Sequence, residues 1–69
     1  MSKKISPIAR NIKRLRKEKG FSQDRLSKEA NITYHTIAKL ESGDNDNPTV
    51  KTLLKIASAL GVSLDALMK

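Results

Sequence analysis

Between Ser6 and Gly20 the apolar residues recur at Ile8, Ile12 and Leu15, the spacing of a single stripe along a helix. Ser6 is placed to cap that helix, Pro7 suits its first turn, and Gly20 marks its end. Leu26 and Ala30 predict a second helix over roughly 23–30, capped by Ser22, with Asp24 near its positive end. Asn31 tolerates left-handed geometry and so fits a tight turn between helices. Ile32, Ile37 and Leu40 continue the apolar set into a third helix, capped by Thr33 and running to about Ser42, where Gly43 stops it. The stretch Asp44-Asn45-Asp46-Asn47-Pro48 is a loop by every local signal. Thr49 then caps a fourth helix with a broad apolar arc of Val50, Leu53, Leu54, Ile56, Ala57 and Leu60, which predicts a central core element ending at Gly61. Ser63 caps a short fifth helix over 64–68. The pattern predicts an all-α, five-helix bundle forming one domain over residues 1–69, with residues 1–5 as an N-terminal arm.

With 69 residues and no cysteine, the chain must hold this core without disulfides or a thiolate metal site. Only Phe21 and Tyr34 are aromatic, which favours helix-on-helix packing over a β-sandwich. No apolar run approaches the ~20 residues that span a bilayer, so the expectation is a cytoplasmic protein without a membrane partner. The net charge of +7 is unevenly spread: residues 1–28 hold ten Lys/Arg against Glu18 and Asp24, whereas residues 29–69 are slightly acidic. Such asymmetry points either to a polyanion partner or to a solvated basic face, and charge alone does not choose between them. On the first helix Arg10, Lys13, Arg14 and Lys17 lie opposite the apolar stripe, while Arg16 sits on its flank.

The third helix has the most informative surface. With Ile37 set at 0° and about 100° per residue, Leu40 and Glu41 fall on the buried side. Tyr34, His35, Ala38, Lys39 and Ser42 form a contiguous outer strip, with Thr33 at its N-terminal end. The strip offers donors, acceptors, one cation and one small residue, and it has no Leu, Ile or Val. Base edges in the major groove are told apart by donor and acceptor pattern and by the thymine methyl group, so the strip has the chemistry a groove reader needs. A polar outer face is also what any surface helix has, and Tyr34 on the flank suits a half-buried core position as well.

These features together resemble the helix-turn-helix domains of phage repressor and Cro type. The carriers are Leu15-Arg16, Gly20-Phe21-Ser22-Gln23, Leu26, Ile32, Ile37, Leu40-Glu41-Ser42-Gly43, Pro48-Thr49 and Ala59-Leu60-Gly61-Val62-Ser63-Leu64, in family order from about Ile8 to Met68. The resemblance implies a lambda-repressor-like DNA-binding fold, double-stranded DNA as partner, and the third helix in the major groove. It implies base contacts from Thr33, Tyr34, His35, Ala38, Lys39 and Ser42. Gln23 matches the family glutamine that bonds a phosphate and braces the reading helix, and Arg16 and Glu41 match a salt-bridged pair tying the first helix to the third. Further phosphate contacts fall to Ser22, Arg10, Lys13, Arg14, Arg25, Asn45 and Asn47. The chain departs from the family pattern at Ser27, usually alanine, at Asn31, usually glycine, and at Asp44 and Asp46, where relatives often carry cations.

The expected function is therefore a bacterial or phage-encoded, sequence-specific transcriptional regulator of the repressor kind acting at the nucleoid, a homodimer on DNA and weakly associated or monomeric in solution, with no cofactor, metal or small-molecule substrate. Val62, Leu64, Leu67 and Met68 are the candidates for an apolar dimer contact. An antitoxin or restriction-controller regulator would share this domain, and a protein-interaction module using the first helix is the reading from another class. An enzyme is not expected, because His35 is the only histidine and no acidic pair is placed for acid–base work. RNA reading lacks an aromatic stacking platform, and the apolar stripe of the first helix is needed for the core rather than for lipid.

Overall fold

Local end signals set the helix boundaries, and the computed structural model, which describes residues 7–44 and 47–69, follows them closely. The helices are α1 (Pro7–Glu18), α2 (Gln23–Ala30), α3 (Tyr34–Ser42), α4 (Val50–Leu60) and α5 (Leu64–Met68). The capping role of Ser6, the N-terminal arm and the contact assigned to Asn45 lie outside the described residues. Ser22, Thr33 and Thr49 each accept a hydrogen bond from the backbone N–H three residues on, satisfying one of the unpaired donors of the helix start. Ser63 occupies the cap position of α5 but makes no side-chain capping bond. The turn between α2 and α3 is closed by Asn31 at φ 56°, ψ 48°. Its N–H donates to the Lys28 carbonyl at 3.2 Å, and that of Ile32 to the Ser27 carbonyl at 2.9 Å. This is the bond pair with which helices end on a left-handed residue, here asparagine rather than glycine.

Helices of eight and nine residues, such as α2 and α3, are too short to persist alone and depend on packing. Ile12, Leu26, Ile37, Leu40, Ile56 and Leu67, drawn from all five helices, are the fully buried large side chains. Each of these contributes about 1.5–3 kcal/mol through burial. Ser27, in the place where alanine was expected, is also buried, and its hydroxyl donates to the Asp24 carbonyl at 2.7 Å, so the extra oxygen is satisfied.

Two expectations about the core need correction. The apolar arc of α4 is narrower than its sequence suggests: Val50 is 62% exposed and Leu54 51% exposed. Neighbouring helices cover the side bearing Leu53, Ile56, Ala57 and Leu60, and Leu54 lies about 110° from the centre of that buried arc. The second correction concerns the apolar set near the C-terminus. Leu67 is wholly buried, and Val62 and Leu64 pack against the core, so of the four candidates for a dimer contact only Met68 stands exposed.

Candidate nucleic-acid interface

The orientation of α3 is fixed from behind by a carboxylate. Glu41 lies on the inner face of its last turn, and its side chain is 3% exposed. Its Oε2 accepts from Arg16 Nε at 2.6 Å, and its Oε1 accepts from Arg16 Nη2 at 3.0 Å and from Gln23 Nε2 at 3.1 Å. The remaining Arg16 nitrogen, Nη1, donates to the Phe21 carbonyl at 2.7 Å, in the link between α1 and α2. One guanidinium thus joins the end of α1, the α1–α2 link and the back of α3. The planar fork is needed for this, because an ammonium cannot present two parallel donors to a carboxylate and a third to a carbonyl. Gln23, the first residue of α2, completes the carboxylate and ties the start of α2 to α3. No buried side-chain polar atom among the described residues lacks a partner, so this network is fully satisfied.

The opposite face of α3 is open. Thr33, Tyr34, His35, Lys39 and Ser42 are exposed and Ala38 is half-buried. Tyr34, at 53% exposed, takes the outward position and not the half-buried one. Two of the strip's hydroxyls are already engaged. Thr33 Oγ1 accepts from the Thr36 backbone N–H at 3.2 Å and shares a 2.8 Å hydrogen bond with Thr36 Oγ1. Ser42 Oγ donates to the Lys39 carbonyl at 3.1 Å and accepts from the Asp44 N–H at 3.3 Å. Tyr34, His35 and Lys39 are the strip's large polar side chains, and the structure brings them to one surface.

The residues expected to meet phosphate are dispersed. Gln23 and Ser22 stand at the start of α2, where the Ser22 hydroxyl accepts from the Arg25 N–H at 2.9 Å. Arg10, Lys13 and Arg14 are exposed on the outer face of α1, about opposite its buried side, and Arg14 is paired with Glu18 at 3.2 Å. Arg25 is held along α2 by Glu29 at 2.9 Å, and its guanidinium carbon lies 4.9 Å from the centre of the Phe21 ring. Asn47 is exposed just before α4.

One anchoring residue escaped the sequence reading. Asn11 is buried in α1, and its Nδ2 donates to the Leu67 carbonyl in α5 at 2.9 Å. Its signal was present, since Asn11 follows Ile8 by three residues and therefore interrupts the apolar stripe. Among the described residues no group of three or more His, Cys, Asp or Glu is placed to hold a metal, and no helix is long and apolar enough to cross a membrane.

Two short helices joined by a tight turn, with a satisfied polar brace behind the second and an open polar face before it, fit a helix-turn-helix domain. Residues 12–67 match the helix-turn-helix family, and the chain belongs to it. It is 41% identical over 56 residues to an uncharacterized HTH-type transcriptional regulator, y4dJ, of Sinorhizobium fredii, covering 81% of this chain and 71% of that protein. It is 33% identical over 61 residues to the HTH-type transcriptional regulator SinR of Bacillus subtilis, covering 88% of this chain and 55% of the relative. Similarity to the immunity repressor protein of Bacillus phage phi105 is 34% over 61 residues, covering 88% of this chain and 42% of the repressor. The chain thus spans about half the length of the last two. The crystal structure of SinR, master regulator for biofilm formation, in complex with DNA superposes with a TM-score of 0.87 at 32% identity, covering 90% of this chain and 98% of that one.

Proposed function

We propose that this chain is a sequence-specific, double-stranded DNA-binding transcriptional regulator, acting as a repressor through binding alone and without catalysis. The observation that carries the reading is the three-donor brace on Glu41, which holds α3 so that Tyr34, His35 and Lys39 project together from the opposite face. The kinship with regulators and repressors, and the likeness to a regulator bound to DNA, support it. In this reading α3 enters the major groove, and Lys39 and His35 read base edges with Thr33, Tyr34, Ala38 and Ser42 beside them. Gln23 and Ser22 meet a phosphate at the positive end of α2, and Arg10, Lys13, Arg14, Arg25 and Asn47 add charge or donors around it. Two copies bind two half-sites, in the cytoplasm of a bacterial cell or of a phage host.

The test begins with selection of bound duplexes from a random pool. Lys39→Ala should then cost about 1–3 kcal/mol on the selected site and less on random DNA, where only the charge is lost. Lys51→Ala removes the same charge from the outer face of α4 and should affect both duplexes slightly and alike. Equal losses for the two variants on both DNAs would show that α3 is not the reading helix.

A further inference from the structure

A second surface, separate from the α3 strip, lies where α2 packs on α4. An open groove of about 560 Å³ runs along this seam, lined by Glu29, Ala30 and Asn31 from the end of α2 and by Lys51, Leu54, Lys55 and Ser58 from α4. Its floor is apolar, formed by Ala30 and by Leu54, which the fold leaves half in solvent beside a still more exposed Val50 one turn earlier. Its charges are one-sided. Glu29, the only acid of the lining, is already neutralised by Arg25 at 2.9 Å. Lys51 and Lys55 have no ion-pair partner among the described residues. Arg25 in turn stands 4.9 Å from the centre of the half-buried Phe21 ring, with Lys19 Nζ 5.9 Å from that centre. That ammonium also lies 3.7 Å from where a Cβ at Gly61 would stand, at the end of α4.

We infer that the α2–α4 groove is a docking site for an acidic amphipathic helix of another protein, which seats a leucine-like side chain against Leu54 and Ala30 and sets carboxylates against Lys51 and Lys55. Apolar anchors inside a groove and opposite charge at its edge are the means by which helices are captured between two helices. The charge of the surface selects among occupants. A second copy of this chain, itself carrying +7, is repelled by a cationic rim. Duplex DNA would leave the Leu54 floor unused, because a phosphate backbone gains nothing from an apolar wall. The inference does not depend on DNA binding, as the lining includes no residue of the α3 strip or of its brace.

The probe is a synthetic amphipathic helical peptide with leucines along one face and glutamates flanking them, compared with a twin in which lysines replace the glutamates. Binding is followed by amide chemical shifts of the intact chain and by calorimetry. The acidic peptide should bind at least about tenfold more tightly than its twin and move the amides of Ala30, Asn31, Lys51, Leu54 and Ser58. Leu54→Gln, a substitution at an exposed helix position, should weaken it about tenfold, and Lys51→Glu should weaken it as well. Leu54→Ala serves as a second variant if the glutamine alters the helix content. Equal affinity for both peptides overturns the inference, as does a shift pattern centred on α3, or no binding up to about 1 mM. The same amides shifting on concentration of the protein alone would assign the groove to self-association, and their shifting with duplex DNA would assign it to nucleic acid. Either result refutes the proposal, and loss of DNA binding by Lys39→Ala leaves it untouched.

Discussion

Arg16→Ala is the substitution that most directly probes how α3 is held. It deletes two of the three donors to Glu41 and the donor to the Phe21 carbonyl, and leaves a carboxylate 3% exposed with Gln23 as its sole remaining side-chain donor. Breaking a buried pair by removing one partner costs about 3–5 kcal/mol, because the other charge stays buried without compensation. With total stability of about 0.05–0.15 kcal/mol per residue, a chain of 69 residues has roughly 3–10 kcal/mol to lose. The variant should therefore melt some tens of degrees lower or be partly unfolded at room temperature, given a shift of about 4–8 °C per kcal/mol in a domain of this size. Arg16→Lys should fall between the two, since it keeps the charge and loses the fork. The decisive partner is the double substitution Arg16→Met with Glu41→Leu, which removes both charges and fills the same space. It should recover most of the lost stability. Thermal and urea melts followed by far-UV circular dichroism read all four proteins. If Arg16→Ala melts within about 1 kcal/mol of the parent, water reaches Glu41 and the brace is not a buried one. If the double variant is as unstable as Arg16→Ala, the loss arises from packing or from the unpaired Phe21 carbonyl and Gln23 amide, and not from an uncompensated charge.

Affinity for duplex DNA should fall steeply with salt, with a log–log slope of about −0.9 for each phosphate neutralised, and a flat response between low and physiological salt in equilibrium titrations would remove the electrostatic part of the proposed function. Gln23→Ala should weaken binding to all duplexes alike, and a change in the preferred base measured by repeat selection would contradict its assignment to the backbone. Asn11→Ala leaves the Leu67 carbonyl without its side-chain donor and should lower stability by about 1–3 kcal/mol in a denaturant titration, whereas an unchanged midpoint would mean that solvent takes over the bond.

The helix boundaries were legible because each is written in two or three adjacent residues. Ser22, Thr33 and Thr49 make the capping bonds their types suggest, and Asn31 adopts the left-handed geometry its side chain tolerates. The outer strip of α3 followed from angular spacing alone, and that spacing also placed Glu41 on the buried face. The pairing of Arg16 with Glu41 did not follow from spacing, since two residues on the flanks of different helices have many possible partners; family resemblance supplied it. Local pattern failed where the outcome depends on which neighbour covers a face. Val50 and Leu54 look like core on the α4 arc and are exposed, because the neighbouring helices close over Leu53, Ile56, Ala57 and Leu60 instead. Leu67, offered as a candidate dimer contact, is fully buried, because α5 folds back onto α1. Asn11 is visible in the sequence as a polar interruption of the α1 stripe, but its bond to a partner 56 residues away is not.

That last bond bears on how the protein forms during synthesis. Leu67 fills a slot in the core and its carbonyl is claimed by a side chain from the first helix, so the hydrophobic interior stays open until Leu67 has been synthesised and has emerged. Earlier helices can coil as they emerge, but they have no complete core to join, and closure waits on contacts of the longest sequence separation. A chain cut a few residues short of Leu67 would leave the interior lined by Ile12 and Ile56 uncovered, and would not be a smaller version of the same domain.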